Sequence, residues 1–339
     1  IALPVPTNPS ALVGQNAITW TWAWTDNSNG QADFKIFADP GASPPATLQA
    51  TLAFGAGSWR YDGLTPNCRY AFQVAASNGG VDSVKTANLV RYTLAGPPSI
   101  GNNVVCDKSV NTPYGPGASC RFTNPAGFGS ASHGGNAYKV SRFRYAWDTS
   151  VSHTFSGMES LWSAGALEKS PTGSGAYYLH LQALNADGYS STPLDYGPFV
   201  FDLDAPTGTM VINDGSGYCN SENLTLALTY GDGAGSGVSQ MQFSNDGTDW
   251  SGWEAAAPTK AWAIPTGDDA KTVYARFEDA VGNLSEVISA VTTLDTIDPA
   301  FSELTATPTT AVEGDVVMLT FTASEALITP PEVTVNSHA

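Results

Sequence analysis

The chain has few basic residues. Its 339 residues include 14 lysines and arginines against 31 aspartates and glutamates, which gives a formal net charge of −17. Such a surface repels the phosphate backbone of nucleic acids and the anionic headgroups of membranes, and it favours cations as partners. The sequence therefore predicts no nucleic-acid partner.

Long apolar runs and helical periodicity are also absent. No stretch approaches the ~18 apolar residues needed to span a bilayer, so we expect no membrane insertion by this segment. No apolar stripe with a helical period is sustained, whereas 34 glycines and 22 prolines supply many turns. The hydrophobic content of 42% is enough for packed cores. Together these features predict an all-β fold.

The chain lacks the sequence signatures of common catalytic sites. It contains no GxSxG, no HExxH, no P-loop and no GxGxxG after a strand. The histidines are scattered at His133, His153, His180 and His338. His180 stands between Leu179 and Leu181, which predicts a solvated side chain on the outer face of a strand. The sequence names no catalytic residue, and we expect any catalytic domain to lie outside this chain.

The four cysteines show neither CxxC spacing nor a nearby histidine cluster, which argues against a zinc site. Cys106 and Cys120 flank the segment VNTPYGPGA, whose Pro-Gly turn can fold two strands side by side. Two interpretations stay open from spacing alone, a disulfide and a pair of buried thiols. In an extracellular setting we expect the disulfide.

Three strand-like segments repeat along the chain, YAFQVAASN at 70–78, YYLHLQALNADG at 177–188 and VYARFEDAVGN at 273–283. Each alternates apolar and polar residues and then reaches Asn or Asp before a glycine-bearing turn. The equivalent positions are Asn78, Asn185 and Asp279. They are roughly a hundred residues apart, the size of one β-sandwich domain. The sequence thus predicts a tandem array of β-sandwiches.

The first unit carries a recognisable motif. In GLTPNCRYAFQVAASN, Leu64, Pro66 and Tyr70 stand where fibronectin type III domains keep their tyrosine corner, and NPSALVGQNAITWTW precedes it. Residues 1–95 resemble that family, which implies a seven-stranded sandwich. Residues 96–203 form a looser immunoglobulin-like unit in which NPAGFGSASHGGNAY is expected to be an exposed, mobile loop.

The later units resemble modules of bacterial surface proteins. Residues 204–298 contain SGVSQMQFSNDGTDWSGWE and KTVYARFEDAVGNLSE and resemble the immunoglobulin-like repeats of those proteins. Residues 299–339 look like the opening strands of a further such domain, less than half of the repeat length. We expect this domain to be truncated here and completed either by a longer parent chain or by a strand from a neighbour.

Tryptophans suggest two roles. Trp20, Trp22 and Trp24 alternate along one strand, which favours core packing over an exposed platform. Trp250 and Trp253 lie close together in the third unit, where sugar stacking on exposed indoles is the alternative to core packing.

Acidic residues collect at the predicted domain junctions. In a seven-stranded sandwich the loops after strands two and six lie at the pole where the chain enters. For the third unit, these loops and the entering linker carry Asp202, Asp204, Asp232, Asp279 and Asn283. Oxygen ligands of this kind suit calcium, and the pattern resembles the interdomain calcium sites of cadherin-like and bacterial adhesin arrays. Solvated turn acids are the alternative.

The other two junctions differ in acid content. At the third, Asp295, Asp298 and Glu325 repeat part of the acidic pattern and form a weaker calcium candidate. The first junction, AGPPSI, has no acid, so we expect it to bend freely or to be stiffened by its prolines and direct packing.

These resemblances imply a structural segment of a large secreted or cell-surface prokaryotic protein, such as an adhesin stalk or a surface-layer or filament subunit. Neighbouring copies or other surface proteins would be its partners. The alternative is an accessory or glycan-binding region of an extracellular polysaccharide-degrading enzyme, with polysaccharide as the partner.

Overall fold

The computed structural model describes residues 2–25, 31–327 and 329–334. It divides into two compact units, Ile1–Asp204 and Ala205–Ala339. Among the described residues there is no α-helix, only β-strands and one 3₁₀ turn at Asn213–Gly215. No helix there is long and apolar enough to cross a lipid bilayer. The predicted all-β fold of tandem sandwiches is confirmed.

The first sandwich occupies the start of the first unit. Its strands are β1 (Thr7–Val13), β2 (Ala17–Ala23), β3 (Asp33–Pro40), β4 (Leu48–Leu52), β5 (Ser58–Asp62), β6 (Arg69–Asn78), β7 (Val81–Asp82) and β8 (Leu89–Tyr92). One sheet has the order β1-β2-β5, and the other has β4-β3-β6 with β7 and β8 both paired to β6. All of these pairs are antiparallel.

Alternation along β2 places its indoles in the first core, as predicted. Trp20 and Trp22 are buried, and the Trp20 ring stacks on Phe72 at 4.8 Å between centroids. The tyrosine corner is also present, because the Tyr70 hydroxyl accepts the Thr65 amide at 2.9 Å. Trp24 is partly buried against the same core.

The second sandwich completes the first unit. Its strands are β9 (Val105–Cys106), β10 (Pro113–Tyr114), β11 (Cys120–Thr123), β12 (Arg142–Asp148), β13 (Ser160–Trp162), β14 (Leu167–Lys169), β15 (Gly175–Leu184) and β16 (Ser190–Phe201). The sheets have the orders β10-β16-β15-β12-β13 and β14-β11-β9. Trp147 packs at the edge of this core and stacks on Tyr177, whose hydroxyl accepts the Thr172 amide at 3.0 Å.

The second unit contains the third sandwich and a hairpin. Its strands are β17 (Thr207–Ile212), β18 (Tyr218–Cys219), β19 (Asn223–Gly231), β20 (Val238–Ser244), β21 (Glu254–Ala255), β22 (Thr259–Ala263), β23 (Asp269–Asp279), β24 (Ile288–Leu294), β25 (Phe301–Thr307) and β26 (Met318–Ala323). The sandwich sheets have the orders β17-β19-β22 and β18-β24-β23-β20-β21, and β25 pairs with β26. The hairpin exposes several apolar side chains, including Leu304, Met318 and Phe321. The predicted boundaries at residues 95, 203 and 298 stay predictions.

Gly208 on β17 provides a test of packing between the two sheets of the third sandwich. A Cβ at this position would overlap the buried ring of Phe277 and crowd the Thr229 carbonyl oxygen. We expect Gly208→Ala to lower the free energy of unfolding by about 1–3 kcal/mol, because a dense core does not absorb an extra methyl group. Chemical denaturation of the full chain measures this.

Gly231→Ala is the matched control for this substitution. Gly231 pairs with Thr207 next to Gly208, and a Cβ there meets no heavy atom within 4 Å. Equal stabilities for the two variants would contradict the packing shown by the structure.

Candidate functional sites in the joint and the acidic loops

The joint between the first and second sandwiches is built around Asn67, which is fully buried. Its side-chain amide donates to the carbonyl oxygens of Gly129 at 2.9 Å and Lys139 at 3.2 Å. Its side-chain oxygen accepts the Ser141 hydroxyl at 3.2 Å, and its backbone amide donates to Leu94. The backbone φ of 50° lies in the left-handed region, which Asn adopts more readily than most residues. One side chain of the first sandwich therefore holds three residues of the second.

The two sandwiches also exchange core residues at this joint. Ala131, from the glycine-rich segment, is buried in the core of the first sandwich and forms a parallel bridge with Cys68. Ala95, from the linker, is buried in the core of the second sandwich. The Tyr70 hydroxyl lies 3.2 Å from Nδ1 of His133. Separating the sandwiches would therefore expose apolar surface as well as break hydrogen bonds.

A second buried amide holds the other side of the joint. Asn185 follows β15, and its side-chain amide donates to the carbonyl oxygens of Tyr92 and Thr93, both at 3.1 Å. Its side-chain oxygen accepts the Tyr189 amide at 2.8 Å. The Asp187 carboxylate accepts the Tyr92 amide at 2.9 Å. The last strand of the first sandwich is thus fastened to a loop of the second.

Two expectations about this region can be compared with the structure. The glycine-rich segment 124–138 was expected to be a mobile loop, but it is hydrogen-bonded to the first sandwich through Ala131 and Gly134. The first junction was expected either to bend freely or to be stiffened by its prolines and direct packing, and the structure has direct packing there. The sequence shows only a polar, glycine-rich stretch here. It does not reveal these contacts, because the partners of the segment lie about sixty residues earlier in the chain.

The acidic loops of the third sandwich form a separate candidate site. Carboxylate oxygens of Asp232 and Asp279 lie within 4.8 Å of each other. Asp279 is buried and accepts the amides of Val281 and Asn283 and the side-chain amide of Asn283. Asp232 accepts the Gly237 amide at 2.7 Å. Burial would raise the pKa of Asp279, but the donors from Asn283 and the loop hold this pKa below its usual value.

These contacts give the acids a structural role in closing their own turns, so the interpretation as turn acids has support. A calcium ion would bind the lone pairs of the Asp232 and Asp279 carboxylate oxygens that do not accept hydrogen bonds from the loop amides. Asp202 and Asp204 directly follow β16 and end the first unit. Calcium at these residues stays a prediction.

The weaker acidic candidate, formed by Asp295, Asp298 and Glu325, stays a prediction. Burial raises the pKa of Glu325, and the charges of Asp295 and Asp298 raise it further.

Cys106 and Cys120 are free thiols that lie in contact with each other. The mutual influence of the two thiols lowers the pKa of Cys106 and, together with burial, raises the pKa of Cys120. Cys106 lies opposite Phe122 in the β9–β11 pair, so the two cysteines are diagonal neighbours. The predicted disulfide stays a prediction.

The proposed sugar-stacking residues face a cation. The Arg276 guanidinium lies 4.3 Å from the ring centroid of Trp250 and 5.6 Å from that of Trp253. Arg276 is held in turn by Gln242. Trp253 is 37% exposed. Sugar stacking here stays a prediction, and a glycan would have to share these rings with Arg276.

The prediction of a solvated His180 is wrong. The side chain lies on the face of β15 opposite the buried Leu179 and Leu181, as the alternation indicates, but it is 0% exposed. His153, in the segment that follows β12, stacks over it at 5.4 Å between ring centroids. A segment distant in sequence covers the outer face, which strand periodicity does not reveal. His338 lies outside the described residues.

No family model and no curated protein matches the chain. Among solved structures, the FN1–FN3 domains of chicken CNTN1 are 16% identical with a TM-score of 0.27, covering 86% of this chain and 99% of that one. The third fibronectin III domain of human KIAA0343 protein is 17% identical with a TM-score of 0.25, covering 28% of this chain and 86% of that one. The strand order and the tyrosine corner of the first sandwich are those of a fibronectin type III-like fold.

Asn67→Ala should loosen the joint. It removes three side-chain hydrogen bonds from a buried site and places Ala in the left-handed region, so we expect a loss of about 2 kcal/mol or more in unfolding free energy. Backbone amides of residues 129–141 should exchange with deuterium faster. Mass spectrometry of the exchanged full chain measures this.

Asn111→Ala controls for the backbone conformation, since Asn111 has a φ of 58° and is exposed. If both variants showed the same stability and the same exchange in residues 129–141, Asn67 would not be the residue that holds the joint.

Proposed function

We propose that the chain is a structural segment of a large secreted or cell-surface prokaryotic protein, acting as part of an adhesin stalk, a surface layer or a filament. The observation that carries this proposal is the joint of the first unit, where Asn67 and Asn185 are both fully buried. A joint that buries polar and apolar groups keeps two sandwiches in one orientation, as a spacer requires. Its partners would be neighbouring copies or other surface proteins.

The surface location is tested on intact cells of the native source with a membrane-impermeant, amine-reactive biotin reagent. Lysines on the sandwiches, such as Lys35 and Lys260, should be labelled before lysis, and mass spectrometry identifies the labelled peptides. Labelling that appears only after lysis would contradict an extracellular role.

Calcium is proposed as the ion that stiffens the entry to the third sandwich. Asp279 is the repeat equivalent of Asn185, whose amide donates to the linker entering the second sandwich. The carboxylate of Asp279 has no N–H to donate to a linker carbonyl group. The linker that enters the third sandwich also carries two further carboxylates, those of Asp202 and Asp204. A calcium ion would supply the positive charge that the amide supplies at the first joint.

Calorimetry with calcium chloride tests this proposal on the full chain. We expect binding in the range of extracellular modules, about 10⁻⁴–10⁻³ M, and a weakening of at least about tenfold in Asp232→Asn, which keeps the acceptor for Gly237 but loses the charge. Small-angle scattering should show a changed maximum dimension after chelation.

Asp246→Asn is the matched control for the calcium experiment. Asp246 also accepts loop amides in the third sandwich, from Thr248 and Asp249, but in another loop. No binding by the wild-type chain, or equal weakening by both variants, would identify the acids as turn residues only.

A further inference from the structure

The second sandwich contains a cluster of two imidazoles and three carboxylates that no function described above uses. We call it the histidine cluster, and its members are Asp148, His153, Glu159, His180 and Asp195. His180 lies on β15, opposite Asp195 on the neighbouring β16. Asp148 ends β12, the strand on the other side of β15. His153 and Glu159 belong to the segment between β12 and β13.

Each of the four ring nitrogens in the cluster faces a carboxylate. Asp148 faces one nitrogen of each ring, with Oδ1 at 3.3 Å from Nε2 of His180 and Oδ2 at 3.6 Å from Nδ1 of His153. The other nitrogens face outer carboxylates, with Nδ1 of His180 at 2.5 Å from Asp195 and Nε2 of His153 at 3.5 Å from Glu159. Each ring therefore lies between a central and an outer carboxylate.

The contact between His180 and Asp195 is the hydrogen bond that metal-binding histidines commonly make. A histidine that binds a metal through one nitrogen generally donates the N–H of the other to a carboxylate, which fixes the tautomer. With its proton on Nδ1 toward Asp195, a neutral His180 presents the Nε2 lone pair to Asp148. Among the described residues, this buried Nε2 atom has no hydrogen-bond partner. A lone pair that faces a carboxylate is repelled by it unless a proton or a metal cation lies between them.

The charges of the cluster favour a divalent ion. Tetrahedral zinc holds nitrogen and oxygen ligands at about 2.0–2.2 Å, so two ligand atoms lie about 3.3 Å apart. Asp148 approaches the two rings with different oxygens, Oδ1 toward His180 and Oδ2 toward His153, so one ion can bind all three residues only after His153 turns. The cluster has three carboxylates, and Arg144 is the cation that contacts it, 3.6 Å from Glu159. With neutral imidazoles, three negative charges and one positive charge leave a net charge of −2.

The members of the histidine cluster lie on two kinds of backbone, paired strands and a connecting segment. Three of its members lie on adjacent strands of one sheet, whereas His153 lies on the connecting segment and its side chain is 24% exposed. Glu159 accepts the amides of Ser156 and Gly157, which fixes the end of that segment. His153 can therefore turn toward Asp148 without disturbing the core, and a bound ion would fasten the segment to the sheet.

We propose that Asp148, His153 and His180 bind a divalent transition-metal ion of the zinc class, with Asp195 and Glu159 orienting the two imidazoles. Two imidazoles and one carboxylate favour such an ion over calcium, which prefers oxygen ligands alone. The bound ion crosslinks the segment 149–159 to strands β12 and β15. It is a local clamp within the second sandwich.

The test uses the full chain with zinc chloride in calorimetry and cobalt chloride in absorption spectroscopy. We expect one zinc equivalent at this site, slower hydrogen exchange in residues 149–159 when zinc is bound, and tetrahedral cobalt bands without thiolate charge transfer. Asp148→Asn and His153→Gln should each weaken binding at least about tenfold, and Asp195→Asn should weaken it about 10–100-fold as an orienting residue.

Matched controls separate this site from others. His133→Gln removes an imidazole outside the cluster, Cys106→Ser removes the thiol pair, and Asp232→Asn removes the calcium candidate, and none of them should change zinc affinity at the cluster. Because His180 is buried and its replacement can unfold the domain, the decision rests on the partly exposed Asp148 and His153.

Three results would overturn the proposal. They are no saturable zinc binding, zinc binding unaffected by both Asp148→Asn and His153→Gln, and nitrogen NMR that shows His180 protonated on both ring nitrogens in the zinc-treated chain. The last result would make His180 an imidazolium held between Asp148 and Asp195.

Discussion

The first unit depends on burying the Asn67 side chain with all of its hydrogen bonds made. A carboxamide has two donors and an acceptor oxygen, and Asn67 matches these with carbonyl oxygens and a hydroxyl from the second sandwich. A buried amide without those partners would cost more than the joint gains. The glycine-rich segment must therefore follow one path, because its carbonyl groups have to face Asn67 and its Ala131 must enter the first core.

The residue that ends the repeated strand segment differs in chemistry between the second and third sandwiches. In the second sandwich it is Asn185, which donates to the linker that enters the domain. In the third it is Asp279, whose oxygens accept amides from its own turn. An amide can bridge to carbonyl groups directly, whereas a carboxylate needs a proton or a cation to do so. One side-chain atom thus separates a directly packed joint from a joint for which we propose an ion.

The histidine cluster shows how paired strands and a covering segment bring titratable side chains together on the outer face of a sandwich. His180 pairs with Asp195 on β16 and with Ala146 on β12, and Asp148 is two residues beyond Ala146, so the three side chains share one face of the sheet. The segment after β12 then folds over this face with His153 and Glu159. The strands supply fixed groups, and the segment supplies the groups that can move.

The sequence by itself determined the all-β fold, the repeat and the inward faces of strands, since period-two alternation specifies which side of a strand is buried. Trp20, Trp22 and Tyr70 were predictable for this reason, and the acids of each loop were predictable from turn chemistry. Only the tertiary structure decided that Ala131 enters the first core, that Asn67 is buried, and that His153 covers His180. These contacts join residues far apart in sequence, and their burial depends on the path of another segment, which leaves no periodic signal along the chain.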